Sequence, residues 1–141
     1  MKYEENLMKD GKLEKSWLSD NGELHREDGP AFILYYDSGQ IQTEEFFIFD
    51  KNHRAKGPAI IDYYEDGPIE REVFFLYGMR HRIDGPAEIS YYEDGSIHHE
   101  EWYINGNYLG EEKDGFWGLW DYLDNNEKKH PNILKYLTKY S

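Results

Sequence analysis

The sequence predicts a mainly β fold: an antiparallel array of β-hairpin repeats with a 28-residue period, closed by a two-helix cap at the C-terminus. Three observations predict it. First, His25-Arg26-Glu27-Asp28-Gly29-Pro30-Ala31 returns as His53-Arg54-Ala55-Lys56-Gly57-Pro58-Ala59 and again as His81-Arg82-Ile83-Asp84-Gly85-Pro86-Ala87, 28 residues apart each time. Second, short β-branched and aromatic runs ended by glycine turns lie between the copies, the pattern of strands. Third, the repeat stops after Leu109 and apolar residues then fall at helical spacing.

Further columns keep the same period. Gly11, Gly39, Gly67 and Gly95 recur, and Tyr35-Tyr36, Tyr63-Tyr64 and Tyr91-Tyr92 precede the last three. Leu13, Ile41, Ile69 and Ile97 follow two residues after each glycine, Leu18, Phe46, Phe74 and Trp102 seven after, and Gly22, Asp50, Gly78 and Gly106 eleven after. Residues 1–110 therefore form the array, with a partial unit at about 1–24 and full units at 25–52, 53–80 and 81–108. Within a unit, residues 59–64 read as a strand beginning after Gly-Pro, where the missing proline N–H costs no interior ladder bond. Glu65-Asp66-Gly67 is a tight turn whose glycine supplies positive φ. Residues 69–76 form the return strand, and Tyr77-Gly78-Met79 is the next turn. His81-Arg82 starts a short third extended piece.

Strand alternation puts Ala59, Ile61 and Tyr63 on one face. Stacked across units, Ala31/Ala59/Ala87, Ile33/Ile61/Ile89 and Tyr35/Tyr63/Tyr91 make that face the expected core. The other face carries Phe32/Ile60/Glu88 and Leu34/Asp62/Ser90, which drift from apolar to polar. No hairpin can bury its own face, so neighbours must do so. Residues 111–141 supply the cap. Asp114 is placed to N-cap a helix over about 116–128, with Phe116, Leu119, Trp120 and Leu123 on one face. Pro131 opens a second helix with Ile133, Leu134 and Leu137 inward. The pair is expected to cover the edge of the last hairpin, because an open edge invites aggregation.

Composition narrows the function. The 141 residues carry 29 acidic and 16 basic side chains, a net charge of −13, and 17% aromatics. Residues 25–108 hold 17 acids and 7 bases, so the charge belongs to the array. Such a balance argues against direct nucleic-acid binding and against anionic membranes, both of which need clustered Lys and Arg. With no cysteine, disulfides and thiolate chemistry are excluded. No apolar run has the length of a membrane span and the N-terminus has no signal-peptide core, so a cytoplasmic chain is expected.

The last unit, with His81-Arg82-Ile83-Asp84-Gly85-Pro86-Ala87, Tyr91-Tyr92, Gly95 and Glu100-Glu101-Trp102-Tyr103, resembles MORN-repeat variants. It resembles more closely the HREDGPA repeat proteins of phages, giant viruses and environmental bacteria. The likeness extends over residues 10–140 and includes the cap stretch from Leu109-Gly110 to Leu137. The second unit departs from it at Ala55-Lys56. The resemblance implies a non-enzymatic binding protein of its class, some members of which are antitoxins, without identifying a target.

The candidate residues follow from the repeat. His25, His53 and His81 stand about 10 Å apart if one unit spans two strands, too far to share one metal ion. They and Arg26, Arg54 and Arg82 are expected to be structural together with Gly29, Pro30, Gly57, Pro58, Gly85 and Pro86. The histidine donors would satisfy turn carbonyls or carboxylates. The arginines would pair with Asp28, Asp84 or the column Glu44/Glu72/Glu100. Neither a metal site, nor a cofactor, nor a catalytic constellation is expected; His98-His99 point to opposite faces. The expected partner-binding residues are the acidic turns Asp37, Glu65-Asp66 and Glu93-Asp94, the doublets Glu44-Glu45 and Glu100-Glu101, and the aromatic contacts Tyr36, Tyr64 and Tyr92. They suit a protein partner with a basic surface, such as a nuclease whose nucleic-acid groove a phage-type inhibitor would occupy. An antitoxin role or a virion component are the alternatives.

Overall fold

A computed structural model describes all 141 residues. Nine strands form one sheet in chain order: β1 (Lys2–Leu7), β2 (Leu13–Leu18), β3 (Phe32–Tyr35), β4 (Ile41–Glu45), then β7 (Ile60–Tyr63), β8 (Ile69–Val73), β11 (Glu88–Tyr91), β12 (Ile97–Ile104) and β13 (Asn107–Glu111). Every pairing is antiparallel. Two return strands break, at Phe46 and at Phe74, where a single strand over 69–76 was expected, whereas β12 runs unbroken to Ile104. The chain then makes a second, smaller hairpin: β5 (Phe47–Ile48) with β6 (Lys51–Asn52), and β9 (Phe75–Leu76) with β10 (Met79–Arg80). A unit is thus two hairpins in tandem. The small hairpins and the β12–β13 turn are tied in series, since the N–H groups of Asp50, Gly78 and Gly106 donate to the carbonyls of Leu24, Asn52 and Arg80.

Because the sheet is a meander, its connections segregate. The turns at 36–39, 64–67 and 92–95 lie at one end of the strands; the His-Arg loops and small hairpins lie at the other. Gly67 holds its turn with φ of 110°, a conformation that β-carbons disfavour. Each of these three hairpins also carries a bulge, between Leu34 and Tyr35, Asp62 and Tyr63, and Ser90 and Tyr91. The first hairpin has none. Its register therefore slips by one residue against the others, and Trp17, not Leu18, occupies the Phe46/Phe74 column. Trp17 N–H donates to Ala31 O at 2.8 Å, as Phe46 does to Ala59 and Phe74 to Ala87, both at 2.7 Å.

The inner face is the one expected: Ala31, Ala59 and Ala87 are fully buried, with Ile33 and Ile89 nearly so. It also carries an acidic column. Ile61 pairs across the sheet with Glu44 on one side and Glu72 on the other, and Ile89 with Glu72 and Glu100, so these carboxylates share its face. The next unit's tyrosine satisfies the first two: Tyr63 Oη donates to Glu44 and Tyr91 Oη to Glu72, both at 2.6 Å. Burial and the adjacent carboxylate push both phenols well above their usual range. The outer face holds a cross-strand charge ladder instead. Thr43 Oγ1 and Arg71 Nε donate to Asp62 at 2.9 Å each, and Arg80 Nε donates to Glu88 at 3.3 Å.

At the C-terminus two helices finish the inner face. The first, α1 (Glu112–Tyr122), starts before Asp114, and Glu111 precedes it without a side-chain cap. Asp114 instead adds negative charge within its first turn, where the helix dipole favours it. The second, α2 (Pro131–Tyr140), opens on proline as expected, with His130 Nδ1 accepting from the Asn132 N–H. Rather than lining the edge of β13, the helices pack on the face of the last hairpin. Trp102, Ile104, Phe116, Leu119, Leu123 and Ile133 form one buried cluster there. Leu134 is exposed, and Tyr136 and Tyr140 turn inward in its place. Glu100, whose partner tyrosine would lie in a next unit, receives Tyr140 Oη and Lys139 Nζ instead. The cap thus reproduces the Tyr–Glu bond that the array can no longer make.

Candidate functional site

The His-Arg loops are a built structural device. His25, His53 and His81 each accept at Nδ1 from a backbone N–H 24 residues on, at Phe49, Tyr77 and Asn105, over 3.2, 3.0 and 3.0 Å. Those three residues hold positive φ, Phe49 and Tyr77 at the tips of the small hairpins and Asn105 in the β12–β13 turn, and the histidine ring stacks on Phe49 and Tyr77. So the histidines act as acceptors, where donors were expected. Burial pulls the His81 pKa below its usual 6.5. Protonation forfeits the Nδ1 acceptor, so the stability from this contact is present above pH ~6.5 and is lost as pH falls through the lowered folded value. Urea denaturation of wild type and of His81→Leu should differ by a margin that shrinks steadily from pH 7 to 5.

The arginines are held as uniformly. Arg26, Arg54 and Arg82 lie 4.0 Å over the rings of Trp17, Phe46 and Phe74, and their Nη1 groups donate to the carbonyls of Pro30, Pro58 and Pro86. The glycine of the motif makes room for this. A β-carbon at Gly29, Gly57 or Gly85 would come within 2.9, 3.1 or 2.7 Å of the guanidinium. Asp28 and Asp84 accept from Nε as expected, whereas the glutamate column is engaged elsewhere.

The expected partner-binding residues divide. Asp37, Glu65, Asp66, Glu93 and Asp94 are all exposed on successive turns at one end of the sheet, and none forms an ion pair. Asp94 is held low by accepting from the Ser96 hydroxyl and N–H. At two strands per unit, neighbouring turns stand about 10 Å apart. Glu44, Glu45, Glu100 and Glu101 do not join them. Glu44 and Glu100 face inward, Glu100 with no exposed surface. Glu45 and Glu101 are half-buried on the outer face, where burial raises both carboxyls.

The turn tyrosines stand at the turn itself, and two are committed. Tyr36 Oη donates to Tyr63 O at 2.6 Å and Tyr64 Oη to Tyr91 O at 2.7 Å, a rung between successive units. Tyr92 has no following unit, stays 51% exposed, and rests against His98. Glu70 also belongs to this edge. It is exposed and, after burial itself, is the first carboxylate to push the Tyr36 and Tyr64 phenols up. Repeat columns could not announce it, because its equivalents are Gln42 and His98.

One histidine–carboxylate cluster lies elsewhere, where His99 sits between Glu111 and Glu112. The two carboxylates face opposite ring nitrogens, Glu111 at 3.4 Å from Nε2 and Glu112 at Nδ1. One ligand atom from each residue lies within 4.8 Å of the other two, and the contacts tie β12 to the junction of β13 and α1. Comparison with family models, curated proteins and solved structures finds no match to this chain. No helix is long and apolar enough to cross a membrane.

Proposed function

We propose that this chain is a non-enzymatic binding module whose acidic turn edge docks a basic surface of a protein partner. One observation carries the reading: five exposed carboxylates recur on three successive turns with no cation of the chain spent on them. On the faces of the sheet, by contrast, Glu44 and Glu72 are bonded to tyrosines and Asp62 and Glu88 to Arg71 and Arg80. A rigid row of like charges attracts its complement early and sets orientation, which favours fast, salt-sensitive association. Tyr92 adds the aromatic area typical of interface centres. The resemblance to HREDGPA repeat proteins suggests the narrower form, an inhibitor that lies in the basic nucleic-acid groove of a nuclease.

The test is a pull-down from host lysate at low and high salt. The variant Glu65→Lys, Asp66→Lys, Glu93→Lys, Asp94→Lys changes only exposed side chains and should keep its circular dichroism. It is expected to lose the salt-sensitive partner, with association slowed by about tenfold or more. A partner retained equally well by wild type and variant would refute the reading.

A further inference from the structure

The second unit lacks the carboxylate that the other two set beside their arginine. Arg26 Nε donates to Asp28 at 3.2 Å and Arg82 Nε to Asp84 at 2.9 Å, but Arg54 is followed by Ala55 and Lys56. Otherwise Arg54 is held as its equivalents are: stacked on Phe46, bonded through Nη1 to Pro58 O at 3.1 Å, and pressed against Gly57. Its guanidinium is therefore fixed in advance with Nε–H unused by the chain. Lys56 stands exposed where the flanking loops carry aspartate, and it forms no ion pair. On either side of this loop opens a cleft, of about 590 Å³ over Phe74 and Leu76 and about 790 Å³ over Phe46 and Tyr77. Both lie at the opposite end of the strands from the acidic turns.

We propose that this notch binds a ligand bearing a carboxylate next to an apolar or aromatic group. The carboxylate takes the place that Asp28 and Asp84 hold in the flanking units, between Arg54 Nε and Lys56 Nζ. The apolar group lies on a cleft floor, of a size suited to a small organic acid or one anchoring residue of a peptide. A pre-oriented guanidinium loses little freedom on binding, which makes such a charge-assisted bond worth more than one to a free side chain. A monoanion suits the site better than a phosphate dianion, because Asp28 and Asp84 rim the clefts and repel the second charge.

The probe is N-acetylphenylalanine, followed through the Arg Nε–Hε signals by NMR, with N-acetylphenylalaninamide as the neutral control and inorganic phosphate as a second anion. In the free protein, Arg54 Hε should exchange with water faster than Arg26 and Arg82 Hε. N-acetylphenylalanine should move the Arg54 signal saturably, and the amide should not. Lys56→Asp restores the flanking-loop sequence, so it should fold with an unchanged or higher melting temperature. Its own carboxylate should weaken the probe's binding at least about tenfold. The proposal fails if the acid leaves Arg54 unmoved, if the amide moves it equally, if Lys56→Asp binds like wild type, or if phosphate saturates the site and the acid does not.

Discussion

Replacing Gly115 by alanine is expected to cost about 3 kcal/mol or more, a fall of about 10 °C in melting temperature. A β-carbon there would stand 2.1 Å from Trp102 Cδ1 and 2.4 Å from the carbonyl oxygen of Gly110. Neither neighbour can yield cheaply. Trp102 is fully buried among Phe116, Leu119 and Ile133, and Gly110 is backbone paired across to Trp102 itself. On an exposed helix the same change would stabilise, since alanine is the better helix former. The sign therefore distinguishes a helix seated on the sheet from one merely tethered to it. Thermal melting of Gly115→Ala decides the point, and a melting temperature at or above wild type would show that α1 does not sit on Trp102.

Trp102→Ala should cost about 3–5 kcal/mol, the range for emptying a large aromatic site, whereas Trp102→Phe should cost less than about 1.5 kcal/mol. Two facts separate the variants. The indole Nε1 is buried with no hydrogen-bond partner, so phenylalanine removes an unsatisfied donor along with part of the volume. Phenylalanine is also what the equivalent sites Phe46 and Phe74 carry, each under an arginine from the next loop. At Trp102 the next loop is missing, and Tyr136 meets the indole edge-on at 5.0 Å in its stead. Chemical denaturation of both variants measures the difference. Equal losses for Phe and Ala would mean that the indole N–H has a partner and that its shape, not its apolar bulk, is what the cap needs.

Much of the architecture was legible because repetition is redundant information. The Gly-Pro starts, the acidic glycine turns and the Ala/Ile/Tyr face all recur, so each strand was identified several times over. Pro131 marked the start of its helix because a missing N–H is harmless there. What repetition hid was the bulge. One extra residue in each later hairpin shifts the first unit by one position, which is why Leu18 fell into the column that Trp17 fills. Adjacency in the sequence grouped the glutamates of 44-45 and 100-101 as surface doublets, although alternation along a strand sends neighbours to opposite faces. Pairing across the strands separates each doublet, one member facing in to a tyrosine or the cap and the other out toward the charge ladder. The turn acids escaped this ambiguity because a turn has no second face to hide them.

By itself, the sequence determined the repeat, its β character, the burial of the alanine and isoleucine columns and the exposure of the acidic turns. Residues at a constant spacing in equivalent units meet equivalent surroundings, so their roles follow from the period. Only the tertiary structure decided which acids are free, which tyrosines are already bonded, and how the last unit is finished. Those outcomes depend on contacts between segments distant in the chain, as when Tyr140 reaches Glu100 or Arg54 finds no carboxylate. Such contacts follow from register and packing in space, which no local pattern encodes.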